Sequence, residues 1–387
     1  SLTITVFSGT APFIYYLYSS TTGLLSFTSS SNSHLYSSLG DESYSMYVVD
    51  HNGCSSIHQG VNITSSSINC CTFNQPLPTS GAYTNLNYDL NQSIILTGNL
   101  SLSSCQVDIA AGVTITVPSG ITFNITNSHL WSCRDMWGGI VVEEGGILNV
   151  LSLSIIEDAE NGILARKASS LQSRVTISNS KFSSNYIGIF IEPNTAMFNK
   201  IILKVTQSTF DRPHSLKNSI NIHPVGASTY AGIELNDIIC TIGKIGSYPN
   251  RFVDLNSGIL SHRSILTIHT TQFASIYHDP VYTANGTPFC GYAIYANAKS
   301  IVPYLNVHGD IYSYYTECEH GIHSDGTSVG IFDIDMDKVN SGITLFNLPK
   351  GTINSVYFNR ISCYYIGIAS SYMDDINTLD IFQNTIE

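Results

Sequence analysis

The 387-residue chain is poor in charge and lacks long apolar runs. Asp, Glu, Lys and Arg make up only 11% of it, against about 25% in an average soluble domain. Lys and Arg number 16 against 28 Asp and Glu, which gives a formal net charge of −12. An acidic chain repels nucleic acid and anionic membranes, so neither is expected as a partner. Without a run of roughly 18 apolar residues, no membrane insertion is expected.

Helical repeats are missing as well. The chain is rich in Ser, Thr and Asn and has no runs of Leu, Ala, Glu and Lys at a helical period. TPR, ankyrin and HEAT repeats each need amphipathic helices, so these solenoids are excluded. The chain begins inside a predicted strand, and Ile368 to Glu387 begin another coil that has no polar cap after it. Solenoids need such caps for solubility, and we therefore expect a piece of a longer protein.

A recurring Gly-Ile pair predicts the fold. It begins at Gly139, Gly162, Gly188, Gly232, Gly258, Gly321, Gly342 and Gly367, in steps of 23, 26, 44, 26, 63, 21 and 25 residues. Ala293-Ile294 divides the longest step into 35 and 28 residues. A large apolar residue usually stands six positions before the Gly, as at Ile156, Phe182, Phe252, Met336 and Ile361, and more loosely at Tyr315. A period of this size marks a solenoid, in which each repeat buries its apolar side against its neighbours.

Short β-branched and aromatic runs between turn residues predict strands. Three strands per turn of roughly 25 residues indicate a right-handed parallel β-helix of about ten coils over residues 112–387, continuing beyond them. The repeated Gly is expected where the backbone has positive φ or closely approaches the next coil. Residues 64–111 are predicted to be a Cys-containing linker and the N-terminal cap of the β-helix. The predicted fold class is all-β.

Residues 1–63 predict a small Ig-like antiparallel β-sandwich, because several short strands follow one another closely. The order Gly9, Pro12-Phe13-Ile14-Tyr15, then Tyr44, Asp50 and Asn52-Gly53-Cys54 resembles the SprB-type repeat of large gliding-motility adhesins of Bacteroidota. Ser8 stands where that repeat has the first of two Gly residues, Phe13 replaces its first Tyr, and no Gly directly precedes Tyr44. The resemblance covers about residues 1–55 and implies a cell-surface adhesin.

Residues 133–146 and 155–163 resemble the parallel β-helix regions of Bacteroidota surface proteins, which are commonly type IX secretion cargo. This resemblance implies an extracellular location at the outer membrane of a Gram-negative bacterium. It also implies a surface glycan, or another cell-surface or secretion-system protein, as the partner.

Two coils are longer than the others, with steps of 44 and 35 residues, and in both the excess follows an inward Phe, Phe210 or Phe273. Residues 211–231 and 274–292 should therefore leave the β-helix at the same corner, two coils apart and close enough to pack together. Insertions on one face are where solenoids usually bind. The candidate contacts to a glycan or protein are Tyr230, Tyr277, Tyr282 and Tyr292 for stacking, and His214, His223, His278 and Asp279 for hydrogen bonding. Two surface loops without a ligand are the alternative.

Three carboxylates alternate with apolar residues at Asp333, Asp335 and Asp337. In a strand they share one face at a spacing of about 7 Å. That spacing suits a Ca²⁺ site or a glycosidase pair, while a solvated acidic face is the simpler interpretation. No other cofactor is expected.

The nine cysteines form no C-x-x-C pair and have no His at zinc-ligand spacing, which argues against a structural zinc site. A secreted context permits disulfides. Cys105 and Cys133, 28 residues apart or about one coil, are one candidate pair, and Cys54 with Cys70 or Cys71 is another. Cys240, Cys318 and Cys363 are equally well interpreted as reduced, buried small hydrophobes.

These patterns favour a non-enzymatic cell-surface adhesin or extension module that binds glycan or protein through residues 211–231 and 274–292. The alternative is a β-helix polysaccharide lyase or glycoside hydrolase. A lyase of this kind needs a basic residue next to an acid cluster, and no coil face gathers Lys or Arg in that way. A third hypothesis is a passive stalk that only spaces other domains.

Overall fold

The computed structural model describes residues 2–19, 23–36, 42–56, 59–63, 73, 75–194, 198–219, 227–279, 291–298, 304–349, 352–371 and 378–387. These residues form strands and no helix, so none of them belongs to a helix of the length and hydropathy needed to cross a bilayer. The chain divides into two compact units, Ser1–Asn69 and Cys70–Glu387. Each unit is described by itself.

The first unit consists of two antiparallel sheets. Its strands are β1 (Leu2–Thr5), β2 (Phe13–Ser19), β3 (Gly23–Ser29), β4 (Ser33–Tyr36), β5 (Glu42–Val49) and β6 (Gln59–Ile63). Strand β1 pairs with β4, and the second sheet has the order β3-β2-β5-β6. Tyr15 and Leu17 are fully buried in the shared core, and the hydroxyl of Tyr36 donates to the Tyr15 carbonyl over 2.9 Å. The antiparallel sheets predicted for this part of the chain are confirmed.

The second unit is built from parallel strands. The first sixteen are β7 (Gly81–Thr84), β8 (Asn87–Leu90), β9 (Ile94–Ile95), β10 (Leu100–Ser103), β11 (Gln106–Ile109), β12 (Thr114–Val117), β13 (Thr122–Thr126), β14 (His129–Ser132), β15 (Trp137–Val142), β16 (Ile147–Leu151), β17 (Ile155–Glu157), β18 (Ala159–Ala165), β19 (Ser173–Ser178), β20 (Lys181–Ser183), β21 (Ile187–Ile191) and β22 (Ile201–Thr206). The remainder are β23 (Thr209–Asp211), β24 (Ala231–Asn236), β25 (Ile239–Ile242), β26 (Asn250–Leu255), β27 (Ile259–His262), β28 (Ile265–His269), β29 (Thr271–Ile276), β30 (Tyr292–Asn297), β31 (Tyr304–His308), β32 (Tyr314–Cys318), β33 (His320–Asp325), β34 (Ser328–Phe332), β35 (Asp335–Phe346), β36 (Ile353–Tyr357), β37 (Arg360–Ser371), β38 (Thr378–Phe382) and β39 (Thr385–Ile386).

Each turn of the chain, called a rung below, adds three strands to three parallel ladders. The first ladder is a 12-stranded sheet that runs from β7 through β10 and β13 to β38. The second runs from β8 through β11, β14 and β17 to β32, and the third from β9 through β12, β15 and β18 to β33. The long strands β35 and β37 extend across both of these ladders. The predicted parallel β-helix of about ten coils is confirmed.

Aromatic side chains fill the bore beneath the second ladder. Phe182, Phe210, Phe252 and Phe273 are at most 1% exposed. Their ring centroids are stacked 5.0, 4.8 and 4.9 Å apart, which is the spacing of neighbouring strands. Tyr315 continues the column edge-on. The large residue that usually stands six positions before the Gly, such as Phe182 or Phe252, is therefore a bore residue.

The repeated Gly is required because the backbone at this position passes close to the next rung. A Cβ added at Gly162 would lie 2.6 Å from the carbonyl oxygen of Gly188 and 2.9 Å from the Phe182 ring. Gly139, in the first pair, also has a positive φ of 100°. Any larger residue at Gly162 would push the next rung away, so the ladder needs the absence of a side chain there.

The β-helix starts earlier than the predicted boundary at residue 112. Strand β7 at Gly81–Thr84 already pairs with β10 in the first ladder. The first rungs therefore lie within residues 64–111, which were predicted to be linker and cap. The Gly-Ile signal begins only at Gly139, so it could not locate these rungs.

The predicted pairing of Cys105 with Cys133 is wrong. Cys105 is a buried free thiol, whereas Cys133 is disulfide-bonded. The amide of Cys105 donates to Ser128 Oγ and its carbonyl accepts from His129, so Ser128 is its neighbour in the next rung. The local rung is 23 residues long, and a separation of 28 residues carries Cys133 beyond that neighbour.

The predictions for the other cysteines have different outcomes. Cys54 is an exposed free thiol, so its predicted bond to Cys70 or Cys71 is wrong; the latter two lie outside the described residues. Its amide instead donates to Asp50 Oδ1 over 2.8 Å, closing the turn after β5. Cys240 and Cys318 are buried free thiols and Cys363 is a half-buried one, as expected for small hydrophobes.

Candidate functional site

Both long insertions leave the β-helix at the same corner. The first follows β23 and the second follows β29, and these two strands lie in one ladder with β26 between them. The predicted exit at one corner, two coils apart, is confirmed. Residues 211–219, 227–231, 274–279 and 291–292 of the insertions are described, whereas His223 and Tyr282 lie outside the described residues.

The two insertions contact each other. Asp279 Oδ2 accepts a hydrogen bond of 2.8 Å from the amide of Ser228. The Asp279 amide donates to Asn256 Oδ1 over 3.0 Å, and Asn256 Nδ2 contacts the Tyr230 carbonyl at 3.4 Å. The predicted packing is confirmed at these residues, and Asp279 holds the two insertions together.

The remaining insertion candidates are placed differently from one another. Tyr230 is 9% exposed and stacks on Tyr186 at 5.7 Å. Tyr277 is half exposed. The amide of His278 donates to Glu319 Oε2 over 2.9 Å. Tyr292 is half-buried and stacks on His320 at 4.7 Å, so two of the four predicted stacking rings, Tyr230 and Tyr292, pack against rings of the chain itself.

The first insertion also reaches toward earlier rungs. His214 Nε2 lies 3.0 Å from Glu157 Oε1, and Lys217 Nζ lies 2.5 Å from Asp158 Oδ2. Ser219 Oγ donates to Glu160 Oε1 over 2.5 Å. Glu157 ends β17, which is two rungs before β23 in the same ladder. His214 thus reaches toward earlier rungs, whereas Tyr277 and Tyr292 lie in later ones.

A row of outward residues follows the Gly-Ile pairs along the third ladder. In successive rungs these residues are Phe190, Glu234, Leu260, Tyr295, His323 and Thr344. Leu260 points away from the bore and is still fully buried, because it packs in a second apolar cluster with Ala227 and Tyr230 of the first insertion. The returning end of the insertion therefore covers part of this outer face.

Glu234 lies within this row. Burial raises its pKa to about 7, and a hydrogen bond with Asn236 offsets only part of the effect. Its Oε1 lies 4.0 Å from Nε2 of His262, and the two side chains are 18% and 17% exposed. Burial, together with the nearby Glu234, raises the pKa of Tyr186 to about 12. We call Tyr186, Phe190, Glu234, His262 and Tyr295 the Glu234 cluster.

The imidazoles of this face are held neutral. Burial lowers the pKa of His262 and lowers that of His323 to about 4. His262 Nδ1 lies 3.2 Å from Asn297 Oδ1, and His323 Nδ1 lies 2.9 Å from Thr344 Oγ1. The His323 ring stacks on Tyr295 at 5.1 Å with an interplanar angle of 9°. Near neutral pH the imidazoles of the face are therefore uncharged, while the Glu234 carboxyl is partly protonated.

A second group of polar residues has metal-ligand geometry. Glu157, Asp158 and His214 bring one ligand atom each within 4.8 Å of the others, the one such group among the described residues. A hydrogen bond from His129, with His214 also nearby, lowers the pKa of Glu157 to about 2. Burial is the main cause that raises the pKa of Asp158. We call His129, Glu157, Asp158, His214 and Lys217 the Glu157 cluster.

The structure does not bring Asp333, Asp335 and Asp337 together as a metal site. Asp335 and Asp337 are exposed on β35 on either side of the buried Met336. Asp333 lies in the preceding corner with a φ of 56°, so it is not part of the strand. Alternation along one strand therefore holds for only two of the three carboxylates, and the described residues group no metal ligands here.

Sequence reasoning missed Glu234, His262, Tyr295 and His323. A usable signal was present, because the residue after each Gly-Ile pair must face outward if the Ile faces the bore. Aligning the repeats on that pair places Phe190, Glu234, Tyr295 and His323 in one row. This row lies outside the two insertions, where the sequence predicted the site.

Comparison with known proteins adds no identity. No protein-family model matches the chain, and no curated protein is significantly similar to it.

Proposed function

We propose that the protein is a non-catalytic, extracellular binding module that holds a neutral glycan on the face formed by the Glu234 cluster. The observation that carries this proposal is that the Glu234 carboxyl lies 4.0 Å from the His262 imidazole, with both side chains less than a fifth exposed, beside the aromatic rings of the cluster. A sugar offers apolar C–H faces and many hydroxyl groups without charge. Rings supply apolar contact area, and a neutral carboxyl, imidazole and phenol supply donors and acceptors.

The charge of the molecule supports a neutral ligand. At a net charge of −12 the chain repels anionic polymers over distances of about 10 Å. The carboxyl of Glu234, with a pKa of about 7, is largely protonated in mildly acidic solution and donates a hydrogen bond there. Sugar hydroxyls accept such a bond without introducing a buried charge.

The surface location belongs to the same proposal. It is supported by the resemblance of residues 1–55 to the SprB-type repeat and of residues 133–146 and 155–163 to surface β-helices. A rod of stacked rungs extends about 4.8 Å per rung, which suits a module that presents a binding face away from a cell. A stalk with no ligand is the outcome if the face binds nothing.

The test is binding of the whole chain to an array of neutral and acidic glycans. The double variant Glu234→Ala, His262→Ala should lose binding at least tenfold, because it removes both polar groups from the face. Glu317→Ala removes an exposed glutamate whose only described ion pair is with Lys338 at 3.9 Å, and it should bind like the wild type. Absence of binding by the wild type, or equal binding by the double variant, contradicts the proposal.

One observation favours a second candidate, acid–base catalysis on a polysaccharide. A carboxyl with a pKa of about 7, near a tyrosine and a histidine, is suited to proton transfer at neutral pH. A glycosidase also needs a second carboxylate at about 5–9.5 Å, and burial rather than a neighbouring acid accounts for the pKa of Glu234. Release of reducing ends or unsaturated uronates, abolished by Glu234→Gln, would establish this activity in place of binding alone.

A further inference from the structure

In the Glu157 cluster, one imidazole nitrogen and two carboxylate oxygens converge. Glu157 Oε1 lies 3.0 Å from His214 Nε2, and Asp158 Oδ1 lies 3.7 Å from the same nitrogen. His214 Nδ1 lies 3.1 Å from the Ser215 carbonyl oxygen, and only a hydrogen on Nδ1 makes this contact favourable. In the neutral tautomer that carries this hydrogen, the lone pair of Nε2 points at the two carboxylate oxygens, whereas the protonated ring donates from Nε2 to Glu157.

One of these oxygens is buried and unsatisfied. Asp158 is 2% exposed, and its Oδ1 has no hydrogen-bond partner among the described residues. Lys217 satisfies only Oδ2, at 2.5 Å. A buried acceptor without a partner costs about 1–3 kcal/mol, more when it is charged, so its position requires an explanation. A proton on His214 would satisfy Glu157 and leave Asp158 Oδ1 unpaired.

We propose that Glu157, Asp158 and His214 bind a divalent transition-metal cation of the Zn²⁺ class. Ligands at about 2.1 Å from a tetrahedral ion lie about 3.4 Å from each other, and the observed separations of 3.0 and 3.7 Å bracket this value. One imidazole nitrogen with two carboxylate oxygens suits a borderline cation, whereas Ca²⁺ prefers six to eight oxygens. Water completes the coordination.

Neighbouring groups hold the three ligands in position. His129 Nε2 contacts the other oxygen of Glu157 at 2.7 Å and orients the carboxylate. The Ser215 carbonyl fixes the tautomer of His214, as backbone carbonyls do for metal-binding histidines. His214 is 43% exposed, so an ion has a path from solvent.

The metal would fasten the first insertion to the β-helix. His214 comes from the insertion, whereas Glu157 and Asp158 lie at the corner between β17 and β18. Three ligands from two distant segments explain why sequence spacing argued against zinc. The site stands independently of glycan binding, since none of its residues belongs to the Glu234 cluster.

The test is titration of the chelator-treated whole chain with Zn²⁺, followed by calorimetry, and with Co²⁺, followed by visible absorption. One equivalent of Zn²⁺ should bind, and Co²⁺ should give the absorption of a four- or five-coordinate ion. His214→Ala, at an exposed position, should weaken binding by more than about 100-fold. His129→Ala should weaken it about tenfold, the effect of losing an outer-shell partner.

Glu160→Gln is the matched control. Glu160 tethers the same insertion through Ser219 and supplies no ligand, so this variant should keep the affinity of the wild type. Failure of the wild type to bind either metal overturns the proposal, and a proton on His214 then bridges to Glu157. Equal Zn²⁺ affinity in His214→Ala also overturns it, because the ion is then held elsewhere.

Discussion

Glu157 and Glu234 face outward from the same β-helix, yet their pKa values are about 2 and about 7. Both follow a bore residue on a short strand, Ile156 in one case and Ile233 in the other. Glu157 has imidazole partners at 2.7 and 3.0 Å. Glu234 lies among Tyr186, Phe190 and Tyr295, and burial dominates its titration. Glu157 ends β17 in the second ladder and Glu234 lies in β24 of the third, and the groups that cover each carboxyl account for the difference in pKa.

One insertion produces both environments. Its first half brings His214 and Lys217 to Glu157 and Asp158. Its returning end brings Tyr230 onto Tyr186 and buries the outer face around Leu260. The β-helix supplies a regular surface, and the loop that crosses it determines whether a carboxyl there is ionised. Four substitutions test this contrast, in order of expected effect.

The largest effect is expected in the bore of the β-helix. Phe210 is stacked between Phe182 and Phe252 at 5.0 and 4.8 Å. Phe210→Ala should reduce the free energy of unfolding by about 3–5 kcal/mol, because it leaves a cavity that the rungs cannot fill. Urea denaturation measures this loss. Ile239→Ala, at a position 56% exposed, should cost less than about 1 kcal/mol; equal losses would show that bore stacking does not dominate stability.

The second effect concerns Glu234 and depends on pH. The unfolded chain ionises this carboxyl near 4.5 and the folded protein near 7, so the folded state retains a proton that the unfolded state loses between these values. Stability therefore falls as pH rises through this window and stays low above it. Glu234→Gln should match the wild type at pH 4.5 and exceed it by about 3 kcal/mol at pH 8.

Urea denaturation of both proteins at the two pH values measures this difference. Glu317→Gln is the control, since Glu317 is about half exposed, and it should show no such pH-dependent gain. A Glu234→Gln variant that is less stable than the wild type at pH 8 would mean that the ionised carboxylate has a stabilising partner.

The third effect has the opposite sign. Glu157→Gln replaces a carboxylate that accepts from His129 with a neutral amide. At pH 7 with chelator present, it should lower the free energy of unfolding by about 1–2 kcal/mol, a value reduced for solvent screening. Thermal or urea denaturation under these conditions checks it. If Glu157→Gln instead stabilised the protein, the ionised carboxylate would be destabilising at both glutamates, and the contrast between them would not hold.

The smallest effect is expected where the insertions touch. Asp279→Ala removes the acceptor of the Ser228 amide. The loss of about 1 kcal/mol should be local and should speed hydrogen exchange of that amide about fivefold. Amides of the bore strands, such as that of Phe252, should exchange unchanged. An unaltered rate at Ser228 would show that the two insertions are held in place by other contacts.

Periodicity predicted the fold well because stacking imposes it on every rung. Gly162 and Phe182 have roles set by the rung above or below, so their residue types recur and can be read from the chain. The exit points after Phe210 and Phe273 follow from the same repeat. The start at Gly81 was missed because the first rungs lack the Gly-Ile pair.

The candidate sites were harder to predict because they form where the first insertion folds back onto strands that are distant in sequence. His214 meets Glu157 across 57 residues of sequence, and no local spacing signals that contact. Tyr230 is an aromatic residue of the type that stacks on ligands, yet it stacks on Tyr186 of the chain itself. Cys105 and Cys133 are about one average rung apart, and the pairing failed because the local rung is five residues shorter than that separation.

The close approach of glycines along the third ladder has a consequence for length variation. The backbone returns to the same ladder at Gly188, Gly232 and Gly258. It does so whether the preceding connection is short or carries the first insertion. Peptide added just before such a glycine is looped out, and the rungs on either side keep their pairing. The corner after β23 and β29 is thus a natural graft point, where foreign segments can be displayed without redesign of the scaffold.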